Sequence, residues 1–177
     1  MASTLERAKL ADFVTYRSGV AEASVGSYKQ VYDENRHRVY ALAFWMTDNE
    51  IAAEELMAST FLRVFATRAR PDAEALDRAL LAEVRESMPV GNLTLRCSAS
   101  TAVHGVRGNT KRVHLERAVF QIPPTERLIF LLHDVESYPH DRVARTLGIS
   151  ENESVEGLHQ ARLRIREILA TMNDQAA

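Results

Sequence analysis

Six side chains between residues 142 and 160 have types and spacing that fit a recognisable chemistry: Arg142, Arg145, Asn152, Ser154, His159 and Gln160. Guanidinium groups pair with phosphates, while amide, hydroxyl and imidazole groups hydrogen-bond the edges of bases. They fall on two apolar-periodic runs, one through Val143, Ala144 and Leu147, the other through Leu158, Ala161, Leu163, Ile165, Ile168 and Leu169. Between the runs Gly148 can take the left-handed conformation that ends a helix. Ser150 and Glu153 stand at capping-box spacing and predict the start of the next helix. Helix, glycine-containing turn and second helix together are the plan of a helix-turn-helix. An ordinary helical hairpin satisfies the same spacing.

No other chemistry competes. The 6 histidines do not fall into metal-ligand spacing with each other or with the single cysteine, Cys97. No glycine-rich phosphate loop is present, and paired carboxylates occur only on helix faces expected to be exposed. These absences predict a protein that is not an enzyme, with no catalytic residues, metal or cofactor. A formal net charge of −2 gives no general attraction to nucleic acid, so any such binding must come from a local patch.

The elements that would position these groups follow from the periodicity. A 177-residue chain that is 46% hydrophobic and 26% charged is of globular composition, with room for one ordinary domain or two small ones. It shows no apolar run of the ~20 residues a membrane span requires and no signal-peptide plan, which predicts a cytoplasmic protein. Residues 1–26 read as an N-terminal arm. Tyr28, Val31, Tyr32, Val39, Leu42, Ala43 and Met46 mark one helix face, and Ala52, Leu56, Phe61, Val64 and Phe65 another. Thr47 and Glu50 stand at capping-box spacing between them, and antiparallel pairing buries both faces. Residues 72–88 form an amphipathic helix through Leu76, Leu80, Val84 and Met88, which Pro89 ends. The segment 90–112 reads as a linker, with Leu93-Thr94-Leu95 as a short extended piece and a basic stretch at Arg107, Lys111 and Arg112. From residue 113, Pro123-Pro124 precede a helix that Thr125 can cap, and its run Leu128 to Leu132 is apolar nearly all round. The expected architecture is all-α: a domain over 27–89, the linker over 90–112 and a helix-turn-helix domain over 113–172.

The residues also carry a family resemblance. Leu147-Gly148-Ile149-Ser150 followed by Leu158-His159-Gln160-Ala161-Arg162, with Ile122-Pro123-Pro124 and Phe130 to Glu136 upstream, resembles the C-terminal domain of extracytoplasmic-function sigma factors of the sigma-70 family. Arg38 to Ala43 and Ala53-Glu54-Glu55-Leu56 followed by Phe61 to Phe65 are similar to the N-terminal domain of the same proteins. The resemblance implies partners: core RNA polymerase, docked on a face that includes Glu54 and Glu55; promoter DNA, read by the helix-turn-helix; and an anti-sigma factor as regulator.

The chain departs from the family at its promoter-contact positions. Ala58 and Ser59 replace polar docking residues. The helix over 72–88, expected to grip and unstack DNA, has no aromatic residue, and its five acids outnumber Arg78 and Arg85. The reading helix offers Glu153, Val155, Glu156 and Gly157 where the family offers donors; carboxylates there are repelled by phosphate, and Gly157 costs about 1 kcal/mol of helix stability relative to alanine. Two functions follow as expectations: a sigma factor directing promoter-specific initiation, or a sigma-like interaction module that has lost promoter binding.

Overall fold

Apolar residues recurring at three and four give the first helix, α1 (27–47), its inner face, with Val39, Leu42, Ala43 and Met46 all buried. The computed structural model describes residues 27–67, 71–96 and 111–175, with side chains to 172. The expected N-terminal arm, Cys97 and most of the expected linker lie outside the described residues. Within them the helices are α1, α2 (Glu50–Thr67), α3 (Ala73–Ser87), α4 (Arg112–Phe120), α5 (Pro124–Phe130), α6 (His140–Leu147) and α7 (Glu151–Gln175). Helix α5 runs on into a π-helical turn, Leu131–Val135. No strand occurs among the described residues, and the all-α expectation holds.

Helix α2 packs Ala53, Leu56, Phe61 and Val64 inward, and its aromatic rings meet those of α1, Tyr32 on Phe61 at 4.9 Å and Tyr28 on Phe65 at 4.8 Å between centroids. The turn between them differs from the expected capping box. Thr47 turns back to donate to the Ala43 carbonyl, and Asn49 caps α2 by accepting from the Ala52 amide at 2.9 Å. Asn49 sits one residue before the helix, where its short carbonyl reaches the first free amides.

In α3 the acids that make the helix unlike a DNA-melting one are all engaged within the chain. Asp72 caps the helix on Ala75, Glu74 pairs with Arg78, and Glu83 and Glu86 converge on Arg63 of α2. Asp77 is buried, 4% exposed.

The C-terminal helices pack on the same core. Leu128, Ile129, Leu131 and Leu132 are buried, and one apolar cluster joins them to residues of α1, α2 and α3 and to Val143, Leu147 and Leu158. Each such side chain contributes about 1.5–3 kcal/mol. A second cluster holds α4 against α7 through Ala118, Val119, Ile122, Ala161, Ile165, Ile168 and Leu169. Two neighbouring side chains on α5 tie the halves together. Glu126, 0% exposed, accepts from the backbone amides of Thr94 and Leu95 at 2.5 and 2.7 Å. Arg127 donates to four carbonyls, those of Trp45 and Met46 at the end of α1, of Phe120 at the end of α4 and of Ile122 just after it. Burial pushes its guanidinium pKa down, against the pull of Asp48.

Residues 90–96, expected to belong to a loose linker, are therefore held. The Gly91 amide donates to Thr125 Oγ1, so Thr125 is spent on this contact and Pro123 occupies the cap position of α5. Leu93 lies across α7, where a Cβ on Gly157 would come within 2.8 Å of Leu93 Cδ2 and 2.6 Å of Ile129 Cδ1. The glycine that weakens the helix is what lets these two side chains approach it.

Candidate nucleic-acid interface

Local sequence builds the turn of this interface as expected. Pro139 precedes α6, Gly148 ends it with φ of 67°, and the Ser150–Glu153 box closes on α7. The Ser150 amide and hydroxyl donate to Glu153 Oε2 at 2.8 and 2.7 Å, and Ser150 Oγ accepts from the Glu153 amide at 3.2 Å. Those bonds, backbone first, hold the Glu153 carboxyl below the usual range.

The structure separates the six side chains picked from the sequence. Asn152, His159 and Arg145 are exposed, Arg145 within 3.2 Å of Asp141. Ser154 is 0% exposed, with its hydroxyl 3.0 Å from His140 Nδ1, and Gln160 is 9% exposed and donates to Glu156. These two residues support the turn from inside. Arg142 is half-buried and engaged within the chain: its guanidinium lies 3.5 Å from the centroid of the Tyr138 ring and donates to Asp77 at 3.0 Å. The outward face of the first turns of α7 carries Glu151, Glu153 and Glu156 with Asn152 and Val155.

Sequence reading missed the groups that hold the π-helical turn against α6 and α7. His133 and His140 stack with centroids 4.3 Å apart, and Asp134 takes a two-pronged bond from Arg162 of α7 at 2.6 and 3.0 Å. Burial works against the charge of Asp134, yet Arg162 and His133 hold its carboxyl below the ordinary value. Within this segment the only signal was the pair of histidines seven apart, and nothing in the spacing marked them as stacked.

Glu54 and Glu55 are exposed on α2, flanked by Ile51 and Leu62, each 70% exposed. Among the described residues no group of three His, Cys, Asp or Glu could hold a metal, and no helix is long and apolar enough to cross a membrane.

Helix α6, the turn ended by Gly148 and the capped α7 have the arrangement of a helix-turn-helix. The family model described as "Sigma-70, region 4" matches residues 112–165, which span α4 to most of α7. The ECF RNA polymerase sigma factor SigE of Mycolicibacterium smegmatis is 23% identical over 171 residues, covering 88% of this chain. This chain spans 66% of that relative's length. The fold is shared with the sigma factor RpoE solved in complex with the anti-sigma factor NepR from Bartonella quintana, at a TM-score of 0.60 and 14% identity over 81% of this chain and 96% of that one. The chain thus carries a stretch that matches sigma-70 region 4 over residues 112–165 and is similar along most of its length to an extracytoplasmic-function sigma factor.

Proposed function

We propose that this chain binds core RNA polymerase through the outer face of α2 and directs it to promoters, with the helix-turn-helix of α6 and α7 reading DNA through Arg145, Asn152 and His159. The observation that carries the polymerase reading is the stripe Ile51, Glu55, Ala58 and Leu62, all exposed. Spacings of four, three and four place them on one side of a helix whose other side is fully packed. Two large apolar side chains at 70% exposure beside two carboxylates are a surface suited to a protein partner with apolar and basic groups. Glu54 and Glu55 take no ion pair among the described residues, unlike the acids of α3.

Run-off transcription tests the proposal. Purified protein with core polymerase and a genomic promoter library should give discrete transcripts and co-elute with the polymerase. Ile51→Arg with Leu62→Arg should abolish both while leaving the helical circular dichroism unchanged. Transcripts that persist in that double variant would remove α2 as the docking face; polymerase binding without any transcript would remove the promoter role.

A further inference from the structure

Asp77 accepts hydrogen bonds from three donors on three other segments of the chain. Arg38 of α1 approaches at 2.7 Å, the Tyr138 hydroxyl at 2.9 Å and Arg142 of α6 at 3.0 Å. Arg38 also donates to the Tyr138 hydroxyl at 3.0 Å. Burial and the Asp77 charge raise the pKa of the Tyr138 hydroxyl to about 12, so it stays a donor. The same seam is closed by Arg85 of α3, bonded to the Leu147 carbonyl at the end of α6 at 2.7 Å, and by Trp45 stacked on Phe120 at 5.1 Å.

Nothing within α3 requires a carboxylate at position 77. The helix is capped by Asp72, and a residue facing an apolar cluster would ordinarily be apolar. The carboxylate is accounted for by the donors brought to it from outside α3, the cations of α1 and α6 and the Tyr138 hydroxyl. Nor is the cluster fully satisfied: Arg38 Nη2 and Arg142 Nε are buried without a hydrogen-bond partner. A buried ion cluster with orphaned donors holds two surfaces in register at little net gain, which suits a contact that must release. Its consequence for the helix-turn-helix is direct, because Arg142, the cation of α6 that lies nearest the turn after Arg145, is half-buried and committed to Asp77 and the Tyr138 ring.

We propose that Asp77 is a latch that holds the helix-turn-helix shut against α1 and α3 with the Arg142 guanidinium engaged by its carboxylate, and that opening the seam frees Arg142 for the phosphates of duplex DNA. This deepens the DNA-reading arm of the proposed function and rests on it. By linkage, whatever opens the seam favours DNA, and DNA favours the open seam to the same extent.

The single tryptophan of the chain, Trp45, reports the seam. On the full chain, Asp77→Asn should shift Trp45 emission to the red and increase its quenching by acrylamide, with helical circular dichroism retained. Affinity for a short fluorescein-labelled duplex of arbitrary sequence should rise by at least about 10-fold, because Asp77→Asn leaves two half-buried guanidiniums without their counter-charge in the closed state and not in the open one. The plot of log affinity against log salt should steepen by about one phosphate contact, and Arg142→Gln in the same background should remove that increment. Tyr138→Phe, which keeps the ring and loses the hydroxyl, should act in the same direction if Asp77→Asn does not fold. Saturating the unmodified chain with duplex should give the same red shift without any substitution. An unchanged Trp45 in both variants and in the duplex titration overturns the latch, and so does an open seam with no gain in duplex affinity. Transcription that fails while Trp45 and the duplex behave as stated removes the polymerase reading and leaves the latch standing.

Discussion

Substituting alanine at Gly157 sets two magnitudes against each other. On an unencumbered helix the change gains about 1 kcal/mol, because glycine has more backbone freedom to lose. Here the added Cβ lands 2.6 Å from Ile129 Cδ1 and 2.8 Å from Leu93 Cδ2. Carbon atoms in favourable contact sit about 3.5–4.0 Å apart, so both methyl groups must retreat by roughly 1 Å. Overpacking of that kind costs about 1–3 kcal/mol. The net expectation is a loss of about 1 kcal/mol, a fall of about 2–4 °C in Tm for a chain of this size. Ile129→Val deletes one of the two obstructing methyls at its own cost of about 0.5–1.5 kcal/mol. In that background the alanine should cost less, giving a coupling of about 1 kcal/mol in a double-mutant cycle read by urea unfolding. A stabilisation of about 1 kcal/mol in both backgrounds, with no coupling, would refute the packing of Leu93 and Ile129 onto α7.

Two further expectations concern stability. Glu126→Ala removes a buried acceptor of two amides and should cost about 3 kcal/mol, with hydrogen exchange accelerating at Thr94 and Leu95 ahead of the rest of the chain; exchange that speeds up uniformly would mean residues 93–96 are not pinned locally. His140 titrates below its ordinary 6.5, first through burial and then through its neighbour His133, with Glu151 and Asp134 pulling the other way. The unfolded chain therefore binds more protons than the folded one, so this contribution is intact above pH 6.5 and fades as pH drops below it toward the folded value. Scanning calorimetry from pH 7.5 down to 5.5 should show a falling Tm, and His140→Gln should flatten the fall; an unchanged slope would contradict the stacked pair.

What could be read from the sequence was local. Gly148, the Ser150–Glu153 box and the apolar run from Leu128 to Leu132 carry their meaning within a few residues, and the structure has them as read. The caps at Thr47 and Thr125 were misplaced because each hydroxyl had a rival partner, the Ala43 carbonyl in one case and the Gly91 amide in the other. The commitment of Arg142 was not legible, since its partner Asp77 lies 65 positions away and a carboxylate in an amphipathic pattern looks like a solvated one. The same holds for Gly157, whose value depends on Leu93 crossing the helix. The acids of α3 looked like a defect in a DNA-gripping helix, whereas in the structure each has an internal cation or amide to hold.

Arg127 reaches back 82 and 81 positions to the carbonyls of Trp45 and Met46. On the ribosome, α1 emerges long before α5, and the last carbonyls of α1 have only water to accept from until the arginine arrives. The corner between α4 and α5 likewise cannot set on its own, because its cation lacks half of its acceptors without the finished end of α1. Contacts so distant along the chain are closed late and slowly. The two halves should thus mature together after synthesis, and a nascent chain halted before residue 127 should expose the frayed end of α1 to chaperones.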